Sequence, residues 1–218
     1  GRRVKELGET AVCNLGSINL KNHLKLVSPN GDPERYDIDY DKLKHTIQTG
    51  ARMLDNVIDI NFYPTDEAKK SNLAHRPVGM GSMGWHDVYH TLGIGYDTDE
   101  AVKFSGDLYE FISYQCIASS SDLAKERGIY STYEGSLWDQ GIFPMDTYKT
   151  VMKDRSTRAI SRHCGIDGID WDKLKKKVKS QGMRNSNTMA IAPTATISSI
   201  TGCSPSIEPN YSVLYVYS

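Results

Sequence analysis

Apolar positions along this chain recur in two rhythms, one helical and one strand-like. From Asp39 onward Leu43, Ile47, Leu54 and Ile58 return at roughly helical spacing, while Asp41, Lys42 and Arg52 fall on other sides. That pattern predicts a packing helix ending near Asn61, ahead of Pro64. A longer helix is predicted over residues 99–127. Asp97 and Glu100 make a capping box at its start, Gly128 closes it, and Val102, Leu108, Phe111, Ile112 and Leu123 supply its buried side. A third helix covers residues 169–181 and stops at Gly182, with Lys173, Lys175, Lys176, Lys177 and Lys179 as a solvated face.

Between these lie shorter apolar runs. Residues 11–14 predict a short buried strand ahead of a turn at Gly16 and Ser17, and residues 188–192 predict a strand with both faces covered. The stretch 72–85 reads as a loop entering another buried strand, where Gly79, Gly81 and Gly84 predict close backbone approach. These glycines are not a dinucleotide fingerprint: the third comes too early, and no acidic residue follows at the required distance. His75 and Arg76 beside them read as structural polar contacts. Residues 211–217 predict a last strand. Ser28, Pro29, Asn30, Gly31, Asp32 and Pro33 mark a surface turn, residues 130–144 are irregular, and the polar residues 149–168 read as an exposed loop or short helix. Strand, helix and strand alternating at long intervals predict an α/β architecture with parallel strands.

Composition narrows the function classes. The 218 residues suffice for one domain or a large piece of one. With 26 basic against 27 acidic residues, no long-range field favours nucleic acid or an anionic membrane, so any phosphate must be recognised locally. Cys13, Cys116, Cys164 and Cys203 are far apart and show none of the paired spacings of a zinc site or thioredoxin-type motif; no metal site is expected. The reading is of reduced thiols in a soluble, cytoplasmic protein, with no membrane-spanning run and no leader peptide.

Two stretches carry candidate chemistry. After Pro193, the small and hydroxylated residues Thr194, Ala195, Thr196, Ile197, Ser198 and Ser199 stand at a predicted helix start, where unpaired N–H groups and the helix dipole can cradle a phosphate. The same residues also serve as an ordinary helix cap. Cys13 reads either as a small core residue or as a redox thiol.

The wider strings bear on both choices. Arg184-Asn185-Ser186, the turn Pro193-Thr194-Ala195-Thr196-Ile197-Ser198, and Ser206-Ile207-Glu208-Pro209, in that order and spacing, resemble the catalytic subunit of ribonucleotide reductase. So do Val12-Cys13-Asn14-Leu15-Gly16-Ser17-Ile18-Asn19-Leu20 and His75-Arg76-Pro77-Val78-Gly79-Met80-Gly81. The resemblance runs from about residue 10 to residue 218, leaving residues 1–9 as an irregular N-terminal segment. It implies a ten-stranded α/β barrel of two antiparallel halves around a finger loop, of which residues 10–218 would be the second half. The implied reaction replaces the ribonucleotide 2′-hydroxyl by hydrogen through a thiyl radical on a finger-loop cysteine. Cys13 matches one of the two thiols that reduce the substrate. Thr194, Ala195, Thr196, Ile197 and Ser198 match the substrate phosphate loop; residues 195–198 would act through backbone N–H groups, and Thr194 could add its hydroxyl.

The resemblance also sets expectations about partners. It is greatest to the class I large subunit, whose radical comes from a metal-containing β subunit. A cobalamin-dependent class II enzyme, using adenosylcobalamin, is the alternative, and Gly202-Cys203-Ser204 is similar to it. This chain itself would bind no cofactor. The finger-loop Asn-x-Cys-x-Glu motif, the other reducing cysteine, the effector region, the radical-transfer tyrosines and the C-terminal cysteine pair are not in the sequence, which begins at Gly1. The chain is therefore expected to be a fragment of an α subunit, or the C-terminal-side product of a split one, inactive alone. Its expected partners are the N-terminal part of that subunit, the radical-generating β subunit, a ribonucleoside diphosphate, and thioredoxin or glutaredoxin; contact with nucleic acid or membrane is not expected. The alternative of another class is a non-catalytic nucleotide-binding or assembly module that keeps the phosphate loop.

Overall fold

The computed structural model describes residues 7–28, 34–147, 166 and 168–212. In chain order these form β1 (Asn14–Asn19), a 3₁₀ turn at Leu20–His23, a small antiparallel hairpin of β2 (Leu24–Leu26) and β3 (Tyr36–Ile38), α1 (Tyr40–Ile60), α2 (Asp66–His75), β4 (Val78–Met83), α3 (Trp85–Leu92), α4 (Asp99–Arg127), a 3₁₀ turn at Pro144–Thr147, α5 (Trp171–Gln181) and α6 (Ala195–Thr201).

The centre of the layer is β4, buried at all six positions. On one side it pairs in parallel with β1, Asn14 opposite Val78 and Asn19 opposite Met83. On its other side runs the chain after Arg184: Val78 and Met80 donate to the carbonyls of Asn187 and Thr188, and Ala190 donates back to Met80 at 3.2 Å. The two faces of β4 then diverge as strand alternation requires. Met80 points to α1, where a Cβ on Gly50 would stand 2.7 Å from its Cε. Gly79 and Gly81 lie on the opposite face. A Cβ on Gly81 would meet the Ala190 carbonyl oxygen at 2.5 Å, a backbone atom that cannot swing aside. We therefore expect Gly81→Ala to cost about 1–3 kcal/mol. Gly106→Ala, inside α4 with nothing within 4 Å of the new Cβ, should instead stabilise by about 0.5–1 kcal/mol. Urea unfolding of both variants checks the opposite signs.

α1 matches its predicted pattern. Asp39 caps it by accepting from Lys42 N–H at 3.0 Å, Leu43, Ile47, Leu54 and Ile58 are buried, and Asn61 ends it. Together with β1, β4, α3 and α4 it encloses the main core around Trp85, Leu108 and Ile112. A second cluster of Ile117, Tyr130, Phe143, Leu174, Val178 and Met183 joins the far half of α4 to α5. Among the described residues no helix is long and apolar enough to cross a membrane.

Several expectations are corrected. The first strand starts at Asn14, not at residue 11, because β4 cannot pair earlier: Pro77 has no N–H to offer, and Thr10 donates instead to Glu67 of α2. Cys13 is consequently exposed just before the ladder. Residues 188–192 are not covered on both faces; Ile191 is 56% exposed, and Met189 forms only a single bridge to Met80. The cap of α4 is Thr98 rather than Asp97, accepting from Ala101 N–H at 3.2 Å. Ala101 is accordingly buried, and Val102 is left 39% exposed. The stretch before β4 is helical (α2), and α3 and the β2–β3 hairpin were not anticipated. The readings of residues 149–168 and of a strand over residues 211–217 fall almost wholly outside the described residues.

Candidate functional site

The site is built from the starting ends of β1 and β4 and from the chain between Arg184 and Ser206. The start of β4 and the start of the segment after Arg184 are fastened by a buried carboxylate. Asp55 of α1, fully buried, accepts from Arg76 at 2.8 and 3.0 Å, from Arg127 at 3.0 Å, from Arg184 at 3.2 Å and from Asn185 at 3.3 Å. Arg76 takes the left-handed conformation (φ 47) that turns the chain out of α2 into β4, and its outer nitrogen reaches Asp59 at 2.7 Å. Asn185 closes the arrangement by donating to the Arg76 carbonyl at 3.0 Å and accepting from Ser120 at 2.8 Å. Arg76 is the structural polar contact expected of it, but the pattern in sequence held no signal for its partners, which are scattered over the helices and a loop.

Cys13 lies over the glycine face of β4. A Cβ built on Gly79 would sit 3.4 Å from the Cys13 Sγ and 2.8 Å from the Ala190 Cβ, so thiol and Ala190 share the space above that glycine. The side chain has an exposed outer edge, yet its surroundings desolvate it enough to push the thiol above its ordinary pKa, keeping it protonated at neutral pH. Cys116, fully buried in α4, is pushed up to about 12 by burial and is chemically silent.

From Ala190 the chain reaches the candidate phosphate turn. Thr194 is left-handed (φ 55) and buried; its hydroxyl accepts from Ser206 N–H at 2.7 Å and its carbonyl from Ser198 N–H at 2.9 Å. Ser198 is buried as well, and its hydroxyl donates to the Ala195 carbonyl at 3.1 Å. Thr194 and Ser198 thus brace the turn from inside; Ala195 is exposed, and Thr196 and Ile197 are exposed in the first turn of α6, where N–H groups have no acceptor within the helix. Beyond α6 a cavity of 530 Å³ opens between Ala195, Ser198, Cys203, Asp87 and Tyr211. Burial opposes ionisation of Asp87, but the backbone N–H of Ser204 at 2.6 Å, aided by Lys21, holds its carboxyl below the usual range. Among the described residues no group of three His, Cys, Asp or Glu side chains is placed to hold a metal ion.

A family model described as ribonucleotide reductase, barrel domain, matches residues 3–218. The chain belongs to that family. The parallel pairing of β1 with β4 and the helices packed on them are consistent with part of such a barrel. The ribonucleoside-diphosphate reductase subunit alpha of Chlamydia pneumoniae is 49% identical over 210 residues, which cover 96% of this chain and 19% of that protein. The subunit alpha of Helicobacter pylori (strain ATCC 700392 / 26695) is 38% identical over 209 residues, 96% of this chain and 24% of the relative. The large subunit of Arabidopsis thaliana is 35% identical over 219 residues, 95% of this chain and 25% of the relative. This reductase chain therefore spans a fifth to a quarter of the length of the curated relatives it matches.

Proposed function

We propose that this chain supplies one reducing thiol, Cys13, and the substrate phosphate turn, residues 194–198, of a ribonucleoside-diphosphate reductase α subunit. The observation that carries the reading is that Cys13 shares the space over Gly79 with Ala190, which is only four residues from Thr194, an extended reach of no more than about 14 Å. Phosphate oxygens would accept from the first-turn N–H groups of Thr196 and Ile197, laying the ribose toward the thiol. In the proposed reaction two thiols give up two electrons and two protons and close to a disulfide; the 2′-hydroxyl leaves as water and hydrogen takes its place.

The second thiol is not Cys203. That residue touches Gly84 at the far end of β4, about 17 Å of strand from Gly79, well outside the Cα separation of under about 7 Å that a disulfide spans. We place the second thiol, like the radical source, on other parts of the assembly. A metal-containing β subunit is the proposed radical donor, with the cytoplasm as the proposed site of action. Cobalamin-dependent and non-catalytic readings are not favoured by relatives named ribonucleoside-diphosphate reductases. The outer edge of β1 supports a further barrel part docking there: a 390 Å³ groove along it is lined by Leu15, Met53 and Val57, Met53 and Ile60 of α1 are 62% and 80% exposed, and Phe62 just beyond α1 is 85% exposed.

The test is CDP reduction by this chain alone, and by this chain mixed with the remaining part of an α subunit and a radical-generating β subunit. Deoxycytidine diphosphate is expected only from the complete mixture. Nucleotide binding without product in every combination would leave the non-catalytic module as the better reading.

A further inference from the structure

The residues just before Cys13 make no strand ladder, yet they are held. Thr10 N–H donates to the Glu67 carbonyl at 3.3 Å, and Lys70 Nζ donates to the Leu7 carbonyl at 2.6 Å. Glu9, four residues before Cys13, accepts from His75 Nε2 at 2.7 Å, with Lys70 a further 3.9 Å neighbour of its carboxylate. All three anchors come from α2. The other ring nitrogen of His75 is 2.7 Å from the Thr132 hydroxyl, and the His75 carbonyl accepts from Ser186 N–H at 3.1 Å. Ser186 begins the run that passes along β4 to Ala190 and the turn at Thr194.

We propose that His75 is a positioning residue for the Cys13 thiol: its ring ties the segment that ends at Cys13 to the turn after α4, and its carbonyl ties in the segment that leads to residues 194–198. One residue thereby registers the two halves of the site against each other. The neutral ring suits both bonds, Nε2–H donating to Glu9 and Nδ1 accepting from the Thr132 hydroxyl. The hydrogen bond from His75 holds the Glu9 carboxyl below its ordinary value, so the tie is made at neutral pH and is lost as pH falls through that lowered value. Among the described residues Lys70 is the cation beside the Glu9 carboxylate and His75 the titratable ring that meets it, while Asn14, Gly79 and Ala190 surround the Cys13 thiol. This inference rests on the function proposed above, in that a registered thiol matters only if Cys13 acts on a bound nucleotide.

The experiment reads the thiol itself. Iodoacetamide alkylation of the intact chain is followed by peptide mass spectrometry from pH 6 to pH 10, with the buried Cys116 as the unreactive reference. Glu9→Ala and His75→Ala should each free the segment, resolvate Cys13, move its titration down toward the ordinary thiol range and raise its rate at neutral pH about three- to fivefold, the range an exposed charge-assisted contact supplies. His75→Gln should restore the original profile, since its amide donates to Glu9 and accepts from Thr132. Arg52→Ala, which breaks a more exposed ion pair with Glu126 at 2.6 Å, should leave the profile unmoved. An unchanged profile in both alanine variants overturns the proposal, and so does His75→Gln behaving like His75→Ala. Should His75→Ala fail to fold, Glu9→Ala on its exposed segment decides alone. Because no turnover is needed, a failure here with CDP reduction intact sinks the positioning role only, whereas a shifted profile without CDP reduction sinks the functional reading only.

Discussion

Replacing Asp55 by alanine is expected to lower folding stability by about 3–5 kcal/mol, the cost of stripping the partner from buried charges. Asp55 is fully buried, and the three guanidinium groups it meets, those of Arg76, Arg127 and Arg184, have side-chain exposures of 6%, 26% and 14%. Asp59 offsets only part of the loss, because it reaches Arg76 alone and is half-exposed. The consequences extend to the site. Arg76 stands at the start of β4, which carries the glycine face, and Arg184 at the start of the segment beside it, so losing their common anchor loosens both. Since a domain has about 5–15 kcal/mol in total, the variant should be near the edge of folding. Urea unfolding against wild type is the measurement, with Glu126→Ala, an exposed partner of Arg52, as a reference expected to lose less than about 1 kcal/mol. A loss for Asp55→Ala no larger than that reference would show that the hub does not hold these segment starts.

In the reassembled reductase, Cys13→Ser should cut deoxyribonucleotide formation by about a thousandfold or more while leaving nucleotide affinity nearly unchanged. Serine fills almost the same space over Gly79 as the thiol does, so the layer and the turn after Pro193 keep their shape. Its hydroxyl cannot be oxidised to a disulfide, so the two electrons that the proposed reaction needs would have no source at this position. The split between the two readouts carries the discrimination. A non-catalytic nucleotide-binding module predicts indifference in both, and a purely packing role for Cys13 predicts lost stability without a selective loss of turnover. Product formation by Cys13→Ser at the wild-type rate would remove Cys13 from the proposed chemistry.

The local elements of this chain are written in its own residues. The spacing of Leu43, Ile47, Leu54 and Ile58 determined α1, with Asp39 and Asn61 at its ends, because a helix needs only one apolar side and two caps. Gly79 and Gly81 announced a close approach, and the structure supplies what approaches: Cys13, Leu15 and Ala190. The strings around Cys13 and Thr194 carried the family, which residues 3–218 match. Boundaries fared less well where a neighbour decided them. Asn14 opens β1 because β4 begins only after Pro77, and Thr98 displaces Asp97 as the cap of α4, which leaves Val102 exposed. His75 and Arg76 read as structural polar contacts, as they prove to be, but the partners that make the Asp55 hub and the His75 tie had no signature. Their members stand 21 to 130 and 57 to 66 positions apart, and a polar side chain in sequence looks the same whether it faces water or a buried partner. Periodicity records which side of an element is apolar, whereas the choice of charged partner follows from which helix ends the folded layer brings together, and there only the tertiary structure decides.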